Sequence, residues 1–357
     1  MWGTEAPNFR AGERNPVVMP YYAIGVDLGG TNLRVAAVDE GGKLVAKITL
    51  QTEVSQGREH VIDELCRATS SMIREMREKQ SDGGALCGIG VGVPGLVDSE
   101  SGRLLDSPNL PGWSNYDVKG EIEQRLGTAV ILENDANAAA LGEQWLGAGR
   151  DFESMCMYTL GTGVGGGLVL NGEIWRGWNG MGGELGHCNV EPEGHVCNCG
   201  SYGCLEQYAS ATAVVRMTRE ALAGGAASEL RQVADAALNA RVVYELAMRG
   251  DGVAKQVFER VGRALGLAIA NMVNTLNLPL YVIGGGVSSA WDAFSPALFA
   301  EVRRRSFVYA WTTGEDGTGV GGRRRATRIT RALLGGDGGL FGAARLPMRH
   351  AAVTSKA

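Results

Sequence analysis

The chain has 357 residues, 45% of them hydrophobic and 20% charged, with a formal net charge of -5. That composition excludes wholesale disorder, and the acidic balance excludes a broad nucleic-acid face, which needs a basic surplus. At ~150 residues per domain, the length predicts two domains, each able to bury its own core.

Residues 1–20 lack the apolar core of a secretory signal and read as a disordered leader. Residues 21–26 are apolar and rich in β-formers. Asp27-Leu28-Gly29-Gly30-Thr31 follows, then a run at 33–38, a Gly41-Gly42 turn and a run at 44–50. This predicts three antiparallel strands joined by tight turns. Over 58–79, the residues Val61, Leu65, Ala68, Met72, Ile73 and Met76 fall on one helical face. A strand is predicted at 87–93, a helix at 117–126, a strand at 129–132 and a helix at 136–146.

The pattern then begins again. A strand at 154–160 is followed by Gly161-Thr162-Gly163, a strand at 164–170, an Asn171-Gly172 turn and a strand at 173–175. A long helix at 253–276 and a strand at 280–283 come later. Both halves open strand, Gly/Thr turn, strand, turn, strand, which predicts an internal duplication. The fold class is therefore α/β, with two similar lobes and a small-molecule cleft between them. The predicted organisation is a small lobe over 21–138, completed by a C-terminal helix at about 336–350, and a larger lobe over 139–335.

No apolar stretch approaches the ~18 residues of a membrane span. The region 265–287 is interrupted by Asn271, Asn274, Asn277, Pro279 and four glycines. The cysteines number 7, an odd count that argues against a disulfide framework, so a reducing, cytoplasmic setting is expected. The arginine runs 303–305 and 323–325 read as solvated faces. Neither a membrane nor a nucleic acid is expected as partner.

Glycine, at 54 residues about twice the ~7% usual share, sits at the ends of β-like runs, where backbone turns tightly or approaches a ligand. Three of these sites are phosphate or nucleotide candidates. In the segment 27–34, Gly29 and Gly30 free backbone amides, Thr31 offers a hydroxyl, Arg34 a cation and Asp27 a carboxylate for hydrated Mg²⁺. The segment 161–167 contains G-x-G-x-x-G, but a strand rather than a helix is predicted after it, which disfavours a dinucleotide fold and favours a hairpin with Thr162 and Gly163 at its turn. Gly284, Gly285 and Gly286 follow a strand and leave room for a flat base, or simply form a strand-to-helix turn.

His187, Cys197, Cys199 and Cys204 give H-x9-C-x-C-x4-C, a closed donor set for tetrahedral Zn²⁺, with Gly200 and Gly203 letting the chain curl. His195 is a second-ranked alternative to His187. Cys66, Cys87, Cys156 and Cys188 read as structural. Glu133-Asn134-Asp135 ends a strand and starts a helix, so Asn134 or Asp135 is either an N-cap or a functional polar group. Glu184 and Glu206 flank the zinc ligands, and paired carboxylates beside amides suit several sugar hydroxyls.

These residues resemble the ROK family of repressors and sugar kinases, nearest its bacterial glucokinase branch. The resemblance rests on D-L-G-G-T-N-L-R (27–34), E-N-D-A-N-A-A (133–139), L-G-T-G-V-G-G-G (160–167), E-L-G-H (184–187), C-N-C-G-S-Y-G-C-L-E (197–206) and the closing A-L-L-G-G-D-G-G-L-F-G-A-A (332–344). It implies a two-lobed actin-like ATPase (ribonuclease H-like) fold. It also implies ATP·Mg²⁺ held by the 27–34 loop, Thr162, Gly163 and 284–286, and sugar contacts from Asn109, Asn134, Asp135, Glu184, His187 and Glu206. Asp135 is the implied catalytic base, and His187 would bind zinc through one nitrogen and sugar through the other. The one departure is the leader of about twenty residues.

The expected reaction is ATP-dependent phosphorylation of a hexose 6-hydroxyl, with glucose ahead of N-acetylmannosamine, N-acetylglucosamine or fructose. A homo-oligomer, dimer or tetramer, is expected. A repressor of the same family would need a DNA-binding domain before the first strand, where twenty residues stand. A nicotinamide oxidoreductase rests on G-x-G-x-x-G alone.

Overall fold

The computed structural model describes residues 21–79, 84–312 and 326–354. The leader and the second arginine run lie outside the described residues. β1 (Tyr21–Leu28), β2 (Asn32–Asp39) and β3 (Leu44–Gln51) form an antiparallel meander, and α1 spans Arg58–Lys79. β4 (Ala85–Val93) joins β1 in parallel. β5 (Leu96–Asp98) and β6 (Arg103–Asp106) make a separate hairpin, and α2 (Val118–Leu126) leads to β7 (Val130–Asn134), parallel to β4. The first sheet has the order β3-β2-β1-β4-β7.

α3 (Asp135–Leu146) carries the chain into the second sheet, built from β8 (Met155–Leu160), β9 (Val164–Leu170), β10 (Glu173–Ile174), β11 (Leu280–Gly284) and β12 (Arg328–Arg331). Its order, β10-β9-β8-β11-β12, and its strand directions repeat those of the first sheet. The predicted duplication is thus an identity of topology. The helices α4 (Glu206–Ala209), α5 (Ala211–Ala223), α6 (Ala240–Arg249), α7 (Gly252–Leu276), α8 (Trp291–Arg305) and α9 (Phe307–Thr312) accompany the second sheet, and α10 (Gly338–Thr354) returns to the first. Among the described residues, no helix is long and apolar enough to cross a membrane.

The strands alternate large and small residues, and the small face decides the architecture. On β1, Tyr22, Ile24, Val26 and Leu28 pack into the core beneath α1, while Ala23 faces α10. On β4, Ile89, Val91 and Val93 point the same way as Tyr22, and the opposite face reads Gly88, Gly90, Gly92. A Cβ on Gly25 would meet the Leu340 carbonyl and one on Gly90 the Ala343 carbonyl, so α10 lies directly on the sheet backbone. The second sheet does the same for α3: Cβ atoms on Gly165 and Gly167 would come within 2.8 and 2.6 Å of Ala136 and Ala140 Cβ. Finally the two helices meet each other at glycine, where a Cβ on Gly342 would overlap the Ala138 carbonyl and one on Gly142 the Gly338 carbonyl.

One expectation changes. Many glycines lie in mid-strand or mid-helix rather than at strand ends, because helices press on the backbone there. The expected division at 138/139 falls inside α3, which runs unbroken to Leu146: it starts at the end of β7 but packs its face on β8 and β9. The C-terminal helix, expected at about 336–350, spans Gly338–Thr354 and packs on β1 and β4.

The helix crossing makes a stability prediction. Gly342→Val overpacks the α3–α10 contact and is expected to lower stability by roughly 1–3 kcal/mol or more. Gly286→Ala, whose Cβ would enter open space, is expected to leave stability unchanged. Chemical-denaturation midpoints of the two variants check this; equal midpoints would contradict the crossing.

Candidate active site

Open α/β sheets place their functional groups beyond the carboxyl ends of parallel strands. Here those ends carry Asp27 on β1, the Glu133-Asn134-Asp135 junction after β7, the 161–163 turn after β8 and the 284–286 turn of β11.

The β1–β2 register sets Asp27 opposite Arg34, and Arg34 Nη2 lies 2.9 Å from Asp27 Oδ2. Arg34 Nη1 donates to the Gly336 carbonyl and lies 3.8 Å from Asp337, which also pairs with Lys47. The Arg34 guanidinium, with 27% of its side chain exposed, thus braces Asp27 against the Gly336-Asp337 loop. Asp27 is 9% exposed, and burial raises its pKa, against the pull of Arg34 and with Asp337 adding. Gly29 and Gly30 turn the hairpin, with Gly29 N–H bonded to the Asn32 carbonyl. Thr31 is exposed, and Asn109 reaches this loop: a Cβ on Gly30 would lie 3.3 Å from its carbonyl oxygen.

Asp135 is the first residue of α3. Burial pushes its carboxyl up to about 6, the negative charge of Asp27 adds to the shift, the Ala136 N–H opposes it, and Glu184 adds further. One carboxylate oxygen accepts that Ala136 N–H at 2.8 Å. Asn134 is the N-cap: its Oδ1 accepts from Ala136 and Asn137 N–H, and its Nδ2 donates to the Gly95 carbonyl. Asn134 is thus the cap, and it retains one amide hydrogen beyond these bonds.

Glu184, His187 and Glu206 converge on the same region. Burial raises the Glu184 carboxyl, His187 opposes, and Glu206 adds. Glu206 accepts the Val164 N–H at 3.0 Å, and a Cβ on Gly163 would strike its carboxylate. The Gly163 turn therefore borders the carboxylate predicted for sugar as well as the space predicted for phosphate. Thr162 holds α5 through its carbonyl, which accepts the Thr212 hydroxyl.

The glycine run on β11 splits by role. A Cβ on Gly284 would press Met157 and Ala332, and Gly285 has φ +80° against the Leu160 backbone; these two serve packing and the turn. Gly286 faces open space and is the one of the three placed to admit a ligand.

His187, Cys197, Cys199 and Cys204 bring their ligand atoms within 4.8 Å of one another. Cys199 and Cys204 Sγ are 3.7 Å apart, and Cys197 Sγ is 3.7 Å from His187 Nδ1. A tetrahedral site with Zn–S of ~2.3 Å has S···S edges of about 3.8 Å. The four donors fit such an ion, and they leave His187 Nε2 for another partner. Gly200 and Gly203 have φ of +90° and +66°, which allows the tight curl. His195 is outside the group, bonded through Nδ1 to the Val196 carbonyl. Cys66 and Cys156 are buried as expected of structural thiols, whereas Cys188 is exposed.

Three groups escape sequence reasoning. Glu133 pairs with Arg176. Asp337 completes the Arg34–Lys47 network. Glu143, 0% exposed, accepts N–H bonds from Ala148, Leu333 and Leu334, tying the end of α3 to the strand-to-helix loop that carries Gly336 and Asp337. Glu143 lies in the helix pattern predicted for 136–146, where a buried carboxylate in an alanine-rich face is the available signal.

The chain is 42% identical over 288 residues to the glucokinase of Thermotoga maritima, covering 80% of this chain and 87% of that protein. It is 31% identical to a putative xylose repressor of Caldicellulosiruptor sp., over 83% of this chain and 75% of that one. A ROK family glucokinase from Streptomyces griseus, solved with glucose and AMPPNP, superimposes with a TM-score of 0.73 at 34% identity, covering 92% of this chain and 99% of that one. The ROK family pattern matches residues 23–349, nearly the whole described structure. With the actin-like α/β architecture of its solved relatives and this match, the chain belongs to the ROK family.

Proposed function

We propose that this protein is a glucokinase, transferring the γ-phosphoryl group of ATP to the 6-hydroxyl of glucose. The observation that carries the reading is Asp135, a carboxylate held at a helix start by the Ala136 N–H, with a pKa moved to about 6 and the charges of Asp27 and Glu184 nearby. The glucokinase relatives, one of them solved with glucose and AMPPNP, supply the substrate pair. The repressor relative is named for xylose, which supports a sugar as the ligand of this fold without favouring a hexose.

Asp135 accepts the proton of the 6-hydroxyl as that oxygen attacks phosphorus. Phosphoryl transfer depends on positioning and charge stabilisation more than on covalent chemistry. Glu184, His187 Nε2, Glu206 and Asn109 orient the sugar, and the remaining Asn134 amide hydrogen contributes. The 27–34 loop, Thr162, Gly163 and Gly286 face the nucleotide. Asp27, with one oxygen held by Arg34, offers the hard oxygen donor that Mg²⁺ prefers. When bound, Mg²⁺ supplies positive charge to the transferring phosphoryl group. The two sheets carry two lobes, proposed as 21–138 with the C-terminal helix and 139–335, and their closure excludes water.

We assign the His187–Cys197–Cys199–Cys204 cluster to structural Zn²⁺, whose binding energy holds the segment between Glu184 and Glu206. Cys204→Ser is expected to lose zinc, lower the denaturation midpoint and reduce glucose turnover together. Metal analysis of purified wild-type protein showing no tightly held zinc would end this assignment.

Asp135→Asn keeps the shape and removes the base, so turnover is expected to fall roughly 10²–10⁴-fold with MgATP binding retained. In the wild type, activity should rise with pH through about 6 as Asp135 ionises. Stability runs the other way. The folded pKa lies above the ordinary 3.8, so this contribution is fully present below 3.8 and is lost as pH rises through about 6. The ligand-free Asn variant should therefore gain up to about 3 kcal/mol at neutral pH. Unchanged turnover in the variant would reduce Asp135 to a helix-start residue.

A site of paired polar groups rejects analogues that leave those groups unpaired. Glucose is expected to give the highest kcat/KM, mannose and glucosamine lower values, and fructose a poor one. A coupled assay with MgATP across these sugars and the N-acetylhexosamines checks this; preference for an N-acetylhexosamine or fructose would move the protein to another branch of the sugar kinases.

A further inference from the structure

We infer that Glu133 and Arg176 form a positioning pair that fixes the base-bearing end of β7 to the segment carrying Glu184, an inference that rests on the glucokinase reading above. Glu133 is 2% exposed, and a carboxylate so buried requires partners. Its Oε1 accepts the Asn134 N–H at 2.9 Å and Asn137 Nδ2 at 3.0 Å. Its Oε2 accepts Arg176 Nε at 2.7 Å, with Nη2 also at 2.7 Å. One side of the carboxylate thus grips the junction that caps α3 and presents Asp135. The other grips a residue of the second sheet's connection, two positions after β10.

Arg176 closes that connection on itself. Its carbonyl accepts the Gly182 N–H at 2.8 Å, so the arginine sits at the neck of the 176–182 loop. The residue after the neck, Gly183, lies against Asn137, whose Oδ1 would be 3.6 Å from a Cβ there, and it precedes Glu184. Fixing the guanidinium therefore fixes where Glu184 starts, relative to the strand that ends at Asp135. Among the described residues, the guanidinium of Arg176 bonds Glu133 and no group proposed for nucleotide. Its loss should be felt in sugar alignment and in turnover, while the ATP side is spared.

The test uses Arg176→Gln, Glu133→Gln, the double variant and Arg176→Lys, each in the full-length, zinc-loaded protein. Misplacing reacting groups by about 1 Å costs up to ~10²-fold, so Arg176→Gln is expected to lower kcat/KM for glucose by about 10- to 100-fold with KM for ATP unchanged. Arg176→Lys is expected to recover part of the loss. The double variant separates positioning from mere stability. It contains no unpaired buried charge, so its denaturation midpoint should recover relative to Arg176→Gln while its kcat/KM for glucose stays low. If activity returns with stability in the double variant, or if KM for ATP rises in step with that for glucose, the pair is structural only and the inference is overturned. Should Arg176→Gln fail to fold, the double variant and Arg176→Lys carry the same comparison. A wild type that does not phosphorylate glucose would instead overturn the glucokinase reading.

Discussion

Everything in this fold depends on how closely α3 and α10 approach each other and the two sheets. Gly25 and Gly90 admit α10 to the first sheet, Gly165 and Gly167 admit α3 to the second, and Gly142 and Gly342 let the helices touch. Packed interiors transmit displacement because they contain few voids. A helix pair seated directly on both sheet backbones fixes where each sheet's parallel strands end. The start of α3 is Asp135 and the start of α10 follows Asp337, so the same contact that joins the sheets also places the proposed base and the carboxylate behind Arg34. A Cβ on Gly339 would lie 3.4 Å from the Asp27 carboxyl, which ties α10 to the third acidic group as well.

The cleft gathers carboxylates at a cost that its neighbours offset individually. Asp27 leans on Arg34, Glu133 on Arg176 and Asp337 on Lys47, while Glu143 is held by backbone N–H groups. Among the described residues Asp135 has no cationic partner of this kind, and burial, with the charges of Asp27 and Glu184 adding, raises its pKa. A carboxylate left without a cation in a partly buried site is poised as a base near neutral pH.

Local chemistry was legible in the sequence, and long-range pairing was not. The apolar spacing in 58–79 matches α1, and the Asn171-Gly172 turn takes the expected positive φ values of 52° and 79°. The histidine and cysteine spacing brings its four residues together. By contrast, Glu133 and Arg176 are 43 residues apart and Arg34 and Gly336 are 302 apart, so no periodicity links them. The alternation Gly88-Ile89-Gly90-Val91-Gly92-Val93 was readable as strand, yet only the positions of α10 over Gly88 and Gly90 and of α3 over Gly92 explain why one face is bare. α5 and α6 carry ordinary caps at Ser210 and Asn239, signals that lie between louder motifs.

In the proposed reading, the glycine turns are also where the two substrate sites touch. Gly30 abuts Asn109, and Gly163 abuts the Glu206 carboxylate. In the proposed reading, each turn presents amides to phosphate on one side and leaves room for a sugar-facing residue on the other. A side chain at either position would not perturb nucleotide alone: at Gly163 it would push Glu206 away from the Val164 N–H that holds it. Direct phosphoryl transfer requires donor and acceptor oxygens in line and in contact. Walls between the two sites must therefore be no thicker than a backbone, and glycine is the residue that makes a backbone wall without adding a side chain.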